Sequence, residues 1–174
     1  MADYFSSLSA TTEPLVSVCV TAYNHAPYIA QCLDSILAQE CDFGVEIVLG
    51  EDCSSDSTLE ICRSYEARYP DSIRVITSPE NVGMRANYRR VVESSRGKYI
   101  AFCDGDDYFL SVDKLRLQVE ALEQNPECGL CCTRSLRFVE GEGREWSYPV
   151  GRMHTQMEDL LFNNTVENCT TLAR

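Results

Sequence analysis

The sequence predicts an α/β domain built on a mostly parallel β-sheet with helices on both faces. Short apolar runs alternate with segments of helical periodicity along residues 15–103. The apolar runs are rich in β-branched residues, as is usual for strands that are buried on both faces. Polar residues follow the end of each run. This regular alternation is typical of βαβ units with right-handed crossovers, which place all strands in one direction.

The first strand and helix are sharply marked. Residues 1–14 are polar and irregular, and we expect them to precede the fold. The sequence then turns to Leu-Val-Ser-Val-Cys-Val at residues 15–20, which predicts a buried strand. Pro27 opens a helix that ends near Gln39, because apolar residues recur there at spacings of three and four. These residues are Ile29, Cys32, Leu33, Ile36 and Leu37.

The same alternation continues through three further strands. A second strand is predicted at residues 45–50, and a helix follows it after the polar segment that ends in Asp56 and Ser57, both common N-caps. This helix runs to about residue 69. Strands are then predicted at residues 73–76 and 99–103, and the helix between them carries Tyr88, Val91 and Val92 as its packing face.

Composition limits the classes of function. With 174 residues and 44% apolar content, the chain can bury the core of one domain, which we expect to span residues 15–174. The net charge of −12 argues against nucleic acid or an anionic membrane surface as the main partner. No segment has the length of a membrane span, and the N-terminus does not resemble a signal peptide. We therefore expect a cytoplasmic protein, with attachment to the inner face of the membrane and homo-oligomer formation left open.

Polar segments follow the predicted strands, and the topology should gather them into one crevice. The carboxyl ends of parallel strands lie along one edge of the sheet, and ligands bind where the strand order reverses. The sequence therefore places an aromatic, a carboxylate pair, an arginine and an acidic turn around one site. These residues are Tyr23, Glu51, Asp52, Arg85 and the turn at residues 104–107.

The acidic turn suits a metal ion. One residue separates Asp104 from Asp106, so both carboxylates can approach one hard divalent cation, and Gly105 permits the bend. The alternative is an acidic turn that only caps the following helix. Neither Gly-rich phosphate-binding fingerprint is present, which disfavours an ATPase and a dinucleotide oxidoreductase. These residues therefore fit a nucleotide-linked substrate whose diphosphate is held through the metal.

Five segments, in order and with normal spacing, resemble the successive motifs of family 2 glycosyltransferases with the GT-A fold. The resemblance covers about residues 15–135. Thr21 stands where the family commonly has proline, and Glu51-Asp52-Cys53 stands where Asp-Asp-Gly is common, but the carboxylate expected to contact the base is kept. The five segments are residues 16–24, 33–39, 46–58, 81–83 and 97–107.

The resemblance implies roles for the residues of the nucleotide site. It implies that Thr21, Ala22 and Tyr23 line the nucleobase pocket and that Asp52 accepts a hydrogen bond from a base N–H. Arg85 would lie near the base or the phosphates. Two structural alternatives stay open at this stage, with Tyr23 as a core aromatic and Asp52 as a cap for the second helix.

The resemblance also implies the chemistry. Asp104 and Asp106 match the family's D-x-D motif, with Asp106 coordinating Mn or Mg and Asp104 lying closer to the ribose and the metal. The matching reaction transfers a sugar with inversion from a nucleotide-diphosphate sugar, for which a UDP-sugar is the expected donor. The acceptor would be a hydroxyl of a saccharide or a lipid-linked molecule, and cell-surface polysaccharide synthesis is the family's common use.

The catalytic base is not identified by the motifs. In this family the base lies well beyond the D-x-D motif, in an acidic pair. Asp159 belongs to such a pair, but residues 157–164 predict a short amphipathic helix, so Asp159 is a weak candidate. We expect the base to lie beyond Arg174, in a domain that is C-terminally incomplete here. A non-catalytic nucleotide-binding or assembly module and a Mg-dependent phosphoacceptor domain are the alternative functions.

Overall fold

The computed structural model describes residues 13–139, 144–148 and 168–174, with the backbone alone described for residues 137–139 and 144–148. These ranges contain eight strands, four α-helices and a short 3-10 helix at Asn168–Thr170. The strands are β1 (Val16–Ala22), β2 (Val45–Glu51), β3 (Ile73–Thr77), β4 (Tyr99–Asp104), β5 (Leu130–Cys132), β6 (Ser135–Val139), β7 (Arg144–Tyr148) and β8 (Thr171–Ala173). The helices are α1 (Ile29–Leu37), α2 (Thr58–Arg68), α3 (Met84–Glu93) and α4 (Lys114–Gln124).

Six of these strands form one mixed sheet in the order β3-β2-β1-β4-β8-β5. The pairs β3-β2, β2-β1 and β1-β4 are parallel, and β8 runs antiparallel to both β4 and β5. Strands β6 and β7 form a separate antiparallel pair. Because β2 and β3 extend the sheet on one side of β1 and β4 extends it on the other, the strand order reverses between β1 and β4. The predicted α/β architecture with a mostly parallel sheet is confirmed.

Helices cover both faces of the sheet, as predicted. The larger core lies on the face covered by α1, α2 and α4, where Leu33 and Leu115 are fully buried against apolar side chains of β1, β2 and β4. The other face is covered by α3, whose Val91 packs against Cys19 of β1 and Val48 of β2. Every residue of β1 is buried, because this strand lies in the middle of the sheet between two helical layers.

The packing face of α3 differs from the prediction. Val92 is 38% exposed, and Asn87 is buried in its place. The Asn87 side chain donates a hydrogen bond of 2.8 Å to the backbone oxygen of Gly50, which satisfies the buried amide. Gly50 permits this approach, since a Cβ at that position would lie 2.4 Å from the Asn87 Oδ1 atom. A polar residue thus occupies a position that hydrophobic periodicity assigns to an apolar one.

The boundaries of the other elements shift by a few residues. The first helix begins at Ile29 instead of Pro27, because the backbone oxygen of His25 accepts hydrogen bonds from the N–H groups of Tyr28 and Ile29. The last strand, β8, has no counterpart among the strands predicted above. The helix predicted at residues 157–164 lies outside the described residues. Among the described helices, none is both long and apolar enough to cross a bilayer.

Glu46 is a buried carboxylate near the amino end of β2, and its partners hold it in the ionised form. It accepts hydrogen bonds from the Ser17 hydroxyl at 2.6 Å and from the Arg96 backbone N–H at 2.8 Å. The Arg96 guanidinium adds two further bonds of 3.0 and 2.8 Å. Burial alone would raise the pKa of Glu46, but these hydrogen bonds outweigh burial and lower the pKa below its ordinary value.

This lowered pKa predicts acid sensitivity. Because the folded-state pKa lies below the unfolded value of about 4.3, the stabilisation is complete above that value and is lost as pH falls through the folded-state pKa. We expect Glu46→Gln to lower the free energy of unfolding at pH 7 by about 2 kcal/mol and to flatten its decline below about pH 4. Urea denaturation between pH 3 and pH 7 measures both effects. Glu60→Gln, at an exposed position on α2, is the matched control, and an equal acid slope in wild type and Glu46→Gln would contradict the assignment.

Candidate functional site

The carboxyl ends of β1, β2 and β4 meet at the point where the strand order reverses. The register places Thr21 opposite both Gly50 and Asp104, and Ala22 opposite Glu51. Beyond the strands, the backbone N–H of Gly105 donates to the backbone oxygen of Thr21 at 2.8 Å. The polar ends of three strands therefore lie side by side at the kind of position where α/β sheets bind ligands. The predicted crevice is present in the fold.

The loops that follow β1 and β2 are tied together into one rim. The Asn24 backbone N–H donates to the Ser54 hydroxyl at 3.0 Å, and the Asn24 side-chain oxygen accepts from the Ser55 backbone N–H at 2.9 Å. Asn24 has a φ of 56° and Cys53 a φ of 59°, both in the left-handed region. Such conformations cost free energy in residues other than glycine, so the hydrogen bonds between the two loops are what maintain them.

Glu51 and Tyr23 differ in what they offer a ligand. Glu51 is fully buried, and its carboxylate accepts from the backbone N–H groups of Cys53 at 3.3 Å and Ser54 at 2.7 Å. Its charge therefore stabilises the loop rather than facing the crevice as one member of a carboxylate pair. Tyr23 is 46% exposed at the rim, so the alternative of a core aromatic is wrong for this residue. Its ring is available to a flat ligand.

Asp52 holds the loop that leads into α3. Its two carboxylate oxygens accept hydrogen bonds of 2.9 Å from the backbone N–H groups of Val82 and Gly83, and Arg90 lies 3.8 Å away. Asp52 is only 2% exposed. The alternative of a helix cap is wrong, since the residue before α2 is Ser57 and the contacts of Asp52 lie with α3 instead. A carboxylate oxygen has two lone pairs, so each oxygen keeps one for a ligand N–H.

Asp104 is positioned by hydrogen-bond donors from three separate elements. The Thr21 hydroxyl and the Tyr88 hydroxyl both donate to its Oδ1, at 2.8 and 2.5 Å. The Asn168 side-chain amide donates to the Tyr88 hydroxyl and, at 3.2 Å, to the Asp104 Oδ2. Burial and the hydrogen bond to Asp104 raise the pKa of Tyr88 far above its ordinary value, so the phenol stays protonated as a donor. The carboxylate is thus fixed before any ligand arrives.

Asp106 is the exposed carboxylate of the turn. Its side chain is 51% exposed, and its Oδ2 lies 3.9 Å from the Nε2 of His25. The His25 Nδ1 is buried without a hydrogen-bond partner among the described residues. Gly105 allows the turn to pass close to this ring, because a Cβ there would lie 2.8 Å from the His25 Nδ1. Hydrogen bonds fix Asp104, whereas Asp106 is exposed. The Asp106 carboxylate is therefore available to bind a cation.

The carboxylates of the acidic turn fit a hard divalent cation only if a bound ligand completes the coordination shell of that cation. Mg²⁺ and Mn²⁺ prefer oxygen donors, and Mg²⁺ is commonly held by one or two carboxylates together with substrate phosphates and water. Asp106 and Asp104 supply carboxylates of this kind. Over the described parts of the chain, no group of three or more Asp, Glu, His or Cys residues could hold a metal alone. The arrangement suits a metal that arrives with a diphosphate.

The structure places most, but not all, of the predicted residues in contact. Thr21 and Asp104 share a hydrogen bond, and Ala22 accepts from the Asp52 backbone N–H at 3.0 Å. Arg85 is exposed in the first turn of α3, and its side chain forms no hydrogen bond or ion pair with the described residues. It follows the loop that Asp52 holds, which keeps it near the crevice. Asp159 lies outside the described residues.

Sequence reasoning missed two donors to Asp104 and the histidine beside Asp106. The periodicity of α3 places Tyr88 on the packing face but does not indicate its hydrogen bond. The signal for Tyr88 was available, because a hydroxyl on an apolar helix face needs a partner when buried. Asn168 lies 64 residues from Asp104 in the sequence, and only the pairing of β8 with β4 brings it there. His25 directly follows the Tyr-Asn pair of the first motif.

The Tyr88 contact gives a test that leaves the fold intact. Tyr88→Phe keeps the ring packed on Phe102, with ring centres 6.0 Å apart, but removes the hydroxyl that donates to Asp104. Since one hydrogen bond to a charged group contributes about 1.5–3 kcal/mol, we expect nucleotide affinity to fall by about tenfold. Isothermal titration calorimetry with UDP measures it. Tyr69→Phe is the control, and equal affinities for the two variants would contradict the role of Tyr88.

Comparisons with known proteins agree with this geometry. The model of glycosyl transferase family 2 matches residues 17–173. An uncharacterized protein of Mycobacterium tuberculosis is 33% identical over 161 residues, which are 91% of this chain and 46% of that protein. The uncharacterized glycosyltransferase EpsJ of Bacillus subtilis is 42% identical over 112 residues, which are 64% of this chain and 31% of EpsJ.

A solved structure supports the same fold. The mannosyltransferase PcManGT from Pyrobaculum calidifontis, in complex with GDP-Man and Mn²⁺, superimposes with a TM-score of 0.62 at 26% identity, over 73% of this chain and 37% of PcManGT. The chain thus spans less than half the length of these relatives. The GT-A fold that the sequence motifs imply is confirmed. The chain belongs to glycosyl transferase family 2.

Proposed function

We propose that this domain binds a nucleoside-diphosphate sugar, with a UDP-sugar as the expected donor, and transfers the sugar with inversion to an acceptor hydroxyl. The observation that carries the proposal is the pairing of a fixed Asp104 with an exposed Asp106 at the reversal of strand order. Family membership and the GDP-Man bound to PcManGT support a nucleotide-sugar donor.

The nucleoside would lie along the rim formed by the loops after β1 and β2. In this proposal Tyr23 stacks on the base, and the backbone of Thr21 and Ala22 lines the same pocket. Asp52 accepts the base N–H with a lone pair that the loop amides leave unused. Arg85 turns toward the phosphates from the first turn of α3. The half-exposed ring of Tyr23 supports the stacking role.

Asp106 and Asp104 would hold Mn or Mg together with the diphosphate. When bound, such a cation neutralises the charge that develops on the departing nucleoside diphosphate. Asp106 would contact the cation directly, since its carboxylate is exposed, whereas Asp104 is held by Thr21, Tyr88 and Asn168 and would lie nearer the ribose. The Mn²⁺ in the PcManGT complex supports the use of a divalent cation, but not the separate roles of the two carboxylates.

The acceptor side is the less defined half of the proposal. An inverting transfer needs a carboxylate that deprotonates the acceptor hydroxyl as it attacks the anomeric carbon. No described residue is assigned to this role, Asp159 is a weak candidate, and we propose a base beyond Arg174. The proposed acceptor is a saccharide or a lipid-linked molecule in cell-surface polysaccharide synthesis, with the domain in the cytoplasm or at the inner face of the membrane.

Calorimetry tests the donor half directly. We expect UDP to bind in the presence of Mn²⁺ and to bind more weakly after removal of the cation with EDTA. GDP and CDP, titrated under the same conditions, test the choice of base. Failure of all three nucleotides to bind with Mn²⁺ would refute the proposed function. Metal-dependent binding without sugar transfer would leave the donor site standing and favour a nucleotide-binding module.

A further inference from the structure

We propose that a cavity beside the acidic turn binds an anionic substituent, a carboxylate or a phosphate, on one of the saccharide substrates, and that Lys114 recognises it. The inference rests on the proposed function, because it concerns which substrate the same crevice accepts. We call this space the Lys114 cavity. It is lined by residues 106–111 of the β4-α4 connection, by Lys114 and Leu117 of α4, by residues 133–136 and by residues 169–170.

The Lys114 cavity has the size and the position of a substrate site. Its volume is about 290 Å³, near the lower end of the range usual for small-molecule pockets. Asp106, the proposed metal ligand, is part of its lining, so the cavity adjoins the proposed metal site. A group attached to the nucleotide-sugar, or an acceptor brought up to it, would therefore reach this space.

Lys114 is an uncommon residue to find in such a wall. It is only 7% exposed, although it carries an ammonium group. Its Nζ donates a hydrogen bond of 2.8 Å to the Gln118 Oε1 and lies 4.1 Å from the centre of the Phe109 ring. Both partners are neutral. Lys114 forms no ion pair with the residues that the structure describes, and a buried cation without an ion-pair partner is unfavourable.

The lining of the Lys114 cavity carries two carboxylates, Asp106 and Asp107, and two cations, Lys114 and Arg134. Asp107 also lines the cavity, but its carboxylate accepts a hydrogen bond from the Cys169 thiol; burial, the charge of Asp107 and this hydrogen bond raise the pKa of Cys169 to about 12. Arg134 adds a second, exposed cation to the lining. Burial lowers the pKa of Lys114 to about 8, so the ammonium is still mostly protonated at pH 7. With Asp106 assigned to the cation and Asp107 bonded to the Cys169 thiol, an anionic substituent would be the ion-pair partner of Lys114.

A purely structural role for Lys114 makes a different prediction. Gln118, which accepts from Lys114, donates to the backbone oxygens of Cys131 at 3.1 Å and Thr170 at 2.8 Å, and so ties α4 to β5 and to the 3-10 helix. If Lys114 served only to orient Gln118, its loss would lower stability without changing which ligands are preferred. Ligand preference is therefore the measurement that separates the two roles.

The experiment compares matched charged and neutral probes by calorimetry at pH 7. In the donor arm, UDP-glucuronic acid and UDP-glucose are titrated with Mn²⁺. In the acceptor arm, the protein is saturated with UDP and Mn²⁺ and titrated with glucuronate, glucose 6-phosphate and methyl glucoside. We expect a preference of about tenfold or more for the charged probe in one arm, which identifies the source of the anion. Lys114→Met should reduce the preference below about threefold, and Lys114→Arg should keep it.

Two results would overturn the inference. One is the absence of any preference for charged probes in both arms, and the other is a preference that Lys114→Met leaves unchanged. If Lys114→Met does not fold, Arg134→Gln at its exposed position replaces it and is expected to reduce the same preference about threefold; an unchanged preference there refutes the proposal. If UDP itself does not bind, the proposed function fails, but titration of free glucuronate against methyl glucoside still tests the Lys114 cavity.

Discussion

Asp106→Asn is expected to remove the metal-dependent part of UDP binding, so that Mn²⁺ no longer strengthens the affinity. The side chain is half exposed and forms no hydrogen bond to any residue that the structure describes, and its Oδ2 lies 3.9 Å from the His25 Nε2. Its charge is therefore available to a cation. An amide of the same shape keeps one oxygen but loses the charge on which a hard divalent ion depends. We expect UDP affinity in Mn²⁺ to fall at least tenfold, about 1.4 kcal/mol.

Calorimetry with and without Mn²⁺, on wild type and variant, measures this loss. Asp71→Asn is the matched control, since it removes the same charge from an exposed turn between α2 and β3. Thermal unfolding of Asp106→Asn should match that of the wild type, because the replaced carboxylate supports little of the fold. A variant that keeps the full Mn²⁺ effect would show that the cation is held elsewhere, and the metal assignment of the acidic turn would fail.

The sheet could be predicted from the sequence because the composition of its strands indicates that they are buried. β1 is a run of small and β-branched residues without a charge, and such a run is stable only in the middle of a covered sheet. Once the alternation of strands and helices was recognised, topology alone placed Thr21 beside Asp104. These two residues are 83 positions apart, yet the prediction of a shared edge needed no knowledge of side-chain contacts.

Side-chain partnerships were harder to predict, because they depend on orientation within an element. Periodicity gives the face of a helix, but it does not distinguish an apolar contact from a buried hydrogen bond. Asn87 and Tyr88 of α3 illustrate this limit, since both use polar atoms at positions that the pattern assigns to packing or to solvent. Lys114 shows the same limit in α4, where a charged residue at the start of a helix would ordinarily be assigned to the surface.

Two residues at the rim of the site show that residue type alone does not establish whether a side chain contacts the ligand. Glu51 and Asp52 are adjacent carboxylates at the end of β2, and the sequence places both at the crevice. In the structure each one accepts two backbone N–H groups of a different loop, with Glu51 holding residues 53–54 and Asp52 holding residues 82–83. Both charges therefore fix the shape of the site, and only Asp52 is also a candidate for contact with the nucleotide.

Asp52→Ala is expected to lower the free energy of unfolding by about 3 kcal/mol even without nucleotide. The change leaves the Val82 N–H without its acceptor, leaves the Gly83 N–H with only the Asn81 Oδ1 at 3.1 Å, and removes the carboxylate 3.8 Å from Arg90. Arg90 keeps hydrogen bonds to the Asn87 Oδ1 and the Glu51 backbone oxygen. We therefore expect the free energy of unfolding to fall by an amount at the lower end of the range for breaking a buried ion pair.

Urea denaturation of the nucleotide-free protein, followed by UDP titration of the folded variant, separates two roles of Asp52. If Asp52 acts only on the base, the variant loses affinity but keeps its free energy of unfolding. If it also holds the loop, both fall together, and Arg85 on the following turn loses its position near the crevice as well. Glu80→Gln, at an exposed position of the same loop, should change neither quantity. Unchanged stability in Asp52→Ala would contradict the loop-holding role, because two charged hydrogen bonds to backbone amides would then contribute nothing.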